Sequence, residues 1–137
     1  MFVTAWMGIL DITTGQVKFA NAGHNQTLLN RANGYFEYLK TRAGFVLAGM
    51  EGIRYRAGEL TLYPGDRLFL YTDGVTEAEN KEHSLYSDER LLELLDKQRK
   101  NMPCTIVDEV LHDVNKNADG AEQSDDITIM CIVNKKP

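Results

Sequence analysis

Leu68-Phe69-Leu70-Tyr71-Thr72-Asp73-Gly74-Val75-Thr76-Glu77-Ala78 decides how the rest of this chain is read. Leu68 to Tyr71 are consecutive apolar residues, the pattern of a short strand buried on both faces. The run stops at Asp73-Gly74, and a short helical segment comes next. An acid at the tip of a buried strand is where a fold can hold a charge rigidly against a ligand. The glycine beside it lets the backbone turn sharply or lets another group approach closely. The same dipeptide is also ordinary turn chemistry, with Asp73 capping the short helical segment.

Upstream of this run the chain alternates strands and turns. Phe2 to Asp11 is apolar at nearly every position and predicts a strand covered on both faces. Thr13-Thr14-Gly15 is a turn signal, and Gln16 to Ala20 continues as the second arm of a hairpin, with Val17 and Phe19 on one face. Asn21-Ala22-Gly23-His24-Asn25 reads as a loop with a tight turn at Gly23. Gln26 to Asn30 and Tyr35 to Lys40 flank Asn33-Gly34, a strong hairpin signal. Thr41 to Gly52 has no sustained period and predicts a loop. Ile53 to Leu62 alternates with a slip of phase at Gly58, which predicts a strand carrying a bulge or turn there. Pro64-Gly65-Asp66 is the turn that launches the central run.

Downstream, Glu79 to Tyr86 is polar and loop-like. Ser87-Asp88-Glu89 has the hydroxyl and acids of a helix start, and Leu91, Leu92, Leu94 and Leu95 supply an apolar side. Pro103 opens a second helix with a stripe at Ile106, Val107, Val110, Leu111 and Val114. After the polar stretch 117–124, Asp125-Asp126 leads into a β-branched strand, Ile127 to Val133. Strands joined by short turns predict antiparallel sheet with helices packed on a face, an α+β fold.

The composition narrows the classes of function. A chain of 137 residues forms one domain or part of one, and 43% apolar with 26% charged residues is ordinary for a soluble globular protein. A net charge of −5 argues against nucleic-acid binding. No apolar run reaches membrane-spanning length and no basic signal-peptide segment is present, so a cytoplasmic protein without membrane contact is expected. Cys104 and Cys131 have no metal-ligand spacing and are expected to be buried, reduced thiols.

Two places could carry chemistry on one design, an acid at the end of a buried strand. If the strand ending at Asp73 and the strand preceded by Asp125-Asp126 are antiparallel neighbours, the acids lie at the same end of the sheet. Crowded carboxylates repel unless a cation or proton compensates, so convergence predicts a metal. An all-oxygen donor set favours Mg²⁺ or Mn²⁺ over zinc. The alternative is that Asp125-Asp126 only ends a polar loop. His24 is a candidate general acid or phosphate contact, and the plainer reading is a loop histidine bonded to a neighbour. His83 and His112 are read as solvated, and no serine lies in a nucleophile-elbow context.

Taken in order, Asn21-Ala22-Gly23-His24, Pro64-Gly65-Asp66, Tyr71-Thr72-Asp73-Gly74-Val75-Thr76-Glu77-Ala78 and Asp125-Asp126-Ile127-Thr128 closely resemble the SpoIIE-type branch of the PPM metal-dependent serine/threonine phosphatases. Phe2-Val3-Thr4-Ala5 and Gly8-Ile9-Leu10-Asp11 are similar to that family too. The resemblance covers essentially the whole chain. It implies a sandwich of two antiparallel sheets with flanking helices and a Mn²⁺ or Mg²⁺ pair at one end, whose activated water attacks phosphoserine or phosphothreonine. By the same resemblance Asp73 and Asp125 match metal ligands. Asp126 falls where relatives often carry Asn and ranks below Asp125, and Gly74 matches a structural position. The implied partner is a phosphorylated regulatory protein such as an anti-sigma-factor antagonist.

The departures shape the expectation. The family's Asp-x-Ser-Gly-x-Gly motif, whose aspartate bridges the two metals, lies before the position matching Met1 and does not occur here. Residues 1–137 are therefore expected to be a partial phosphatase domain without its N-terminal strands and helices, weak in metal binding and poor in catalysis. Val46-Leu47-Ala48-Gly49 and Tyr86-Ser87 stand where relatives tend to show Pro-Leu-Gly and Phe-Gly. Two rivals remain, a non-catalytic partner-binding module of degenerate phosphatase fold and a dimerisation element of a sensor protein, with an apolar face left for a second copy.

Overall fold

The computed structural model describes residues 2–135. The elements run β1 (Ala5–Leu10), β2 (Gln16–Ala22), β3 (Leu28–Asn30), β4 (Phe36–Tyr38), β5 (Gly58–Thr61), β6 (Arg67–Tyr71), α1 (Asp73–Thr76), α2 (Asp88–Gln98), α3 (Pro103–Ala118) and β7 (Ile129–Val133). They form two antiparallel sheets, ordered β1-β2-β5 and β4-β3-β6-β7. The helices α2 and α3 pack on one another, with α2 against β4 and α3 against β7. This is the expected α+β arrangement of antiparallel sheets with flanking helices.

Strand β6 explains why the fold has two cores. Successive side chains on a strand point to opposite faces. Leu68 and Leu70 enter the core between the sheets with Val17, Phe19, Leu29 and Leu62. Phe69 and Tyr71 face the other way, into a core with Leu91, Leu95, Ile106, Val110 and Val114 of the helices. Burying each such large apolar side chain contributes about 1.5–3 kcal/mol, so β6 anchors both layers. The helix stripes are the predicted ones: Ile106, Val110 and Val114 are buried, and Val107 and Leu111 lie at the edges of the stripe. Ser87 caps α2, accepting from the Arg90 amide at 3.4 Å, and Pro103 occupies the first turn of α3.

Several expectations are corrected. The first strand is not covered on both faces. Trp6 stacks on Phe19 at 5.6 Å, but β1 pairs only with β2, and Met7, Ile9 and Leu10 are exposed. An unbroken apolar run signals two-sided burial only when another layer covers the second face, and among the described residues none does. Residues 53–57 are not a strand. β5 begins at Gly58, where the predicted slip of phase is the start of pairing with β2. Asn21 and Ala22, read as loop, still belong to β2. The last strand starts at Ile129 rather than Ile127. Both cysteines are free thiols, but Cys104 is exposed on α3. Burial pushes the Cys131 thiol up to about 11.

Candidate functional site

The site is set by one strand pair. Strands β6 and β7 are antiparallel neighbours, with Tyr71 opposite Ile129 at the end of the ladder. The C-terminal tip of β6 and the segment leading into β7 therefore lie at the same end of the sheet. Two threonines carry the pairing one step further. The Thr72 amide donates to the Thr128 carbonyl at 3.0 Å, and the Thr128 amide donates back to Thr72 Oγ1 at 2.9 Å. Thr72 Oγ1 also donates to the Asp126 carbonyl at 3.0 Å. One hydroxyl thus ties the residue before Asp73 to the backbone of Asp126.

Gly74 brings the two segments into contact. A Cβ at this position would sit 2.3 Å from the Asp126 carbonyl oxygen and 3.3 Å from that of Asp125. Only glycine leaves room for the backbone to press there. Gly74 itself is buried in α1, a single turn whose next residues, Val75 and Thr76, are buried as well. Asp73, at the start of that turn, is exposed, as are Asp125 and Asp126. The Asp73 carboxylate makes no hydrogen bond or ion pair with any described residue. Asp125 Oδ1 accepts from the Asp126 amide at 2.7 Å, and the Asp125 carbonyl accepts from Gln123 Nε2 at 2.7 Å.

The wall behind Asp73 is fixed by phenols. Tyr71 and Tyr38 both donate to Asp88 Oδ1, at 3.0 and 3.2 Å, which clamps the end of β6 to the first residue of α2. Burial raises the Tyr71 phenol, and it pushes Tyr38 up to about 12, so both stay protonated donors at neutral pH.

His24 lies on the opposite wall of a cleft of about 340 Å³ between the sheets, shared with Thr4, Thr72 and Thr128 over an apolar floor that includes Trp6 and Leu70. Its backbone is held at both ends by one side chain. The His24 amide donates to Asn21 Oδ1 at 2.7 Å, and Asn21 Nδ2 donates to the His24 carbonyl at 3.0 Å. Its Nδ1 is 3.2 Å from Thr4 Oγ1. His83 is solvent-exposed, 2.9 Å from Glu79, and His112 is exposed on α3.

Of the predicted residues, Asp73, Gly74, Asp125 and Asp126 are therefore brought to one end of the β6–β7 pair. His24 faces the adjoining cleft. The roles of Thr72, Thr128 and Asn21 could not be read from residue type, because they depend on strand register.

The donor set suits a hard divalent ion, since carboxylates and water are what Mg²⁺ or Mn²⁺ prefers and no nearby thiol competes. It is not a closed cage. No group of three or more His, Cys, Asp or Glu placed to hold a metal occurs among the described residues. Two carboxylates with water completing the shell are the part of such a site that these residues fit.

Comparison with known proteins gives a consistent fold. The family model described as Stage II sporulation protein E (SpoIIE) matches residues 1–134. Protein IcfG of Synechocystis sp. is 30% identical over 132 residues, covering 96% of this chain and 20% of that protein. The phosphatase domain of the cell fate determinant SpoIIE from Bacillus subtilis superposes with a TM-score of 0.74 at 18% identity, covering 97% of this chain and 59% of that one. The catalytic domain of the serine/threonine protein phosphatase PstP, solved with two manganese ions, gives 0.62 at 17% identity, over 93% of this chain and 56% of that one. The chain thus spans a fifth of the curated relative and somewhat over half of each solved domain.

Proposed function

The chain belongs to the SpoIIE family, and from that premise we propose that residues 1–137 form the larger, C-terminal part of a metal-dependent serine/threonine phosphatase domain. The observation that carries this reading is the β6–β7 pairing, which sets Asp73 and Asp125 at one end of the sheet with Gly74 pressed against the Asp126 carbonyl. Carboxylates brought to one end of a sheet without a basic partner among the described residues favour a cation there.

In this reading Asp73 and Asp125 hold Mn²⁺ or Mg²⁺, and ligands from outside these residues complete the shell. The bound metals supply an activated water and neutralise charge on a phosphoryl group. The chain's own residues do the positioning. The hydroxyl of Thr72 and the Thr128 amide keep the two acidic segments in register. Trp6 and Leu70 give the cleft beside the site an apolar floor. His24 is oriented by Asn21, and when Thr4 donates to Nδ1 its proton sits on Nε2, where it can be held toward a leaving serine oxygen.

The substrate in this proposal is phosphoserine or phosphothreonine on a cytoplasmic regulatory protein, such as an anti-sigma-factor antagonist, with neither nucleic acid nor membrane as partner. No described helix is long and apolar enough to cross a membrane. The rival is a partner-binding or dimerising module without catalysis, a reading favoured by the exposed apolar edge of β1 and the incomplete ligand set.

The nucleotide sequence upstream of this chain, read together with phosphate release, separates the two. The expected result is an Asp-x-Ser-Gly-x-Gly stretch upstream and Mn²⁺-dependent phosphate release from a phosphoserine peptide by the polypeptide that includes it. That release should disappear in Asp73→Asn, while residues 1–137 alone release little. No upstream motif and no release from a folded polypeptide would leave the module.

A further inference from the structure

The seven arginines of the chain divide sharply. Arg31 bonds Asp66, Arg67 bonds the Gly65 and Asn101 carbonyls, Arg90 bonds Asp113, and Arg99 bonds the Asp96 carbonyl and covers the Tyr35 ring. Arg42, Arg54 and Arg56 have no such partner among the described residues, and all three fall in the loop between β4 and β5. Residues 40–57 carry four basic side chains against one acid, Glu51, in a chain whose net charge is −5. An unengaged guanidinium is a fork of donors matched to an oxyanion.

The loop is folded onto β2. The Gly44 amide donates to the Asn21 carbonyl at 2.8 Å, Leu47 and Val3 exchange backbone bonds at 2.8 and 3.2 Å, and Tyr55 donates to the Val46 carbonyl at 3.3 Å. Gly44 permits this approach, since a Cβ there would stand 2.9 Å from both the Asn21 carbonyl oxygen and the Tyr55 ring. The fold brings Arg42 and Arg56 to a cavity of about 250 Å³, with Thr41 and Asn21 as further polar lining and Phe19 at its base. Arg54 does not line it.

Asn21 belongs to both ends of this geometry. It lines the arginine cavity, and its side chain grips His24, which lines the cleft beside Thr72. Asn21 and His24 are three residues apart, hence at most about 11 Å. That is the reach of about three residues of extended peptide.

We propose that the Arg42–Arg56 cavity is an oxyanion subsite that takes a carboxylate side chain of the phosphoprotein substrate, within about three residues of its phosphoserine. This rests on the phosphatase reading for the word substrate, but the subsite is defined by its own residues. It selects acidic segments by two forked guanidiniums with a threonine hydroxyl beside them, and it leaves the reacting end of the site untouched. A small phosphoester, which cannot reach the cavity, gains nothing from it.

The test is fluorescence anisotropy at low salt with two labelled peptides, each bearing one phosphoserine, one with flanking glutamates and the other with glutamines in their place. The glutamate peptide is expected to bind about tenfold tighter, and Arg42→Gln/Arg56→Gln to reduce that advantage to less than about threefold. Arg54→Gln, which removes a charge from the same loop but not from the cavity, is expected to keep it. Circular dichroism verifies that each variant is folded. Equal binding of the two peptides overturns the proposal, as does an equal loss in Arg54→Gln, which would mark diffuse charge attraction. Removal of the advantage by excess inorganic phosphate acting through the same two arginines would assign the cavity to a free anion and overturn the protein source. Asp73→Asn is expected to keep the glutamate advantage. A preserved advantage without any Mn²⁺-dependent hydrolysis by the polypeptide that includes the upstream Asp-x-Ser-Gly-x-Gly stretch would sink the phosphatase reading and leave the subsite; hydrolysis by that polypeptide without the advantage would sink the subsite alone.

Discussion

Strand β6 has an aspartate just outside each end, and the two could hardly be treated more differently. Asp66, before Arg67, is 2% exposed and fully engaged. It bonds the Arg31 guanidinium and accepts from the Ala32 amide at 3.0 Å and the Tyr63 amide at 2.9 Å. Asp73, two residues beyond Tyr71, is exposed and makes no bond through its carboxylate to any described residue, although its neighbours Gly74, Val75 and Thr76 are buried. A buried acid is tolerated only when its lone pairs are filled. Asp66 serves the fold, pinning the β3–β4 turn to the start of β6. Asp73 is presented by a buried turn and left open, as the proposed metal-binding role requires.

The largest effect expected from this contrast is on stability. Asp66→Ala strands two backbone amides and the Arg31 charge, and should lower unfolding free energy by about 3 kcal/mol, moderated by the partial exposure of Arg31. Asp73→Ala should stay within about 0.5 kcal/mol of the parent in the same urea titration. Equal losses at the two ends would break the comparison.

Gly74→Ala comes next. The new methyl meets the Asp126 backbone rather than a movable side chain, so a loss of about 1–3 kcal/mol is expected. Mn²⁺ binding should fall with it although no carboxylate has changed. A variant as stable as the parent would show that the two acidic segments are not pressed together.

Thr72→Val is a smaller change. It keeps the branched shape and removes the hydroxyl shared by the Asp126 carbonyl and the Thr128 amide, for about 1 kcal/mol by thermal unfolding. Thr72→Ser should restore the parent value.

The smallest effect is read through pH. The Arg90 guanidinium, bonded to Asp113 at 3.0 and 3.1 Å, holds that carboxyl below its ordinary 3.8, with Tyr86 adding a bond at 2.7 Å. A carboxyl depressed in the folded state contributes stability that is fully present above the unfolded value and is lost as pH falls through the folded one. Asp113→Asn should therefore flatten the stability curve below about pH 4 and leave its shape above that unchanged. An unaltered acid limb would mean that Asp113, like Asp73, is not engaged in the fold.

Much of this architecture was legible in the residues. The four apolar residues of β6 announced burial on both faces, the stripe through Ile106, Val110 and Val114 announced α3, and Asn33-Gly34 announced the β3–β4 hairpin. The shared end of Asp73 and Asp125 rested on a simple condition, antiparallel neighbours, that β6 and β7 meet. What was missed depends on the third dimension. Pro64-Gly65-Asp66 reads as a turn, and nothing in it says that its acid is buried against Arg31, which is 35 residues away along the chain. The hydroxyl of Thr72 and the side chain of Asn21 act through register. The apolar run of β1 misled because a sequence records which residues want cover, not whether a layer is there to provide it. Likewise Ile53 and Tyr55 alternate like a strand but sit in the loop that carries the unengaged arginines.

The central claim is that the Asp73–Asp125 end of the β6–β7 pair binds a divalent metal. Isothermal titration of Mn²⁺ into the 137-residue chain, with Asp73→Asn and Asp125→Asn as matched variants of equal charge change, tests it most directly. Weak, saturable binding by the parent and its loss in both variants, with unfolding midpoints preserved, is the predicted result. Three superimposable isotherms would contradict the account.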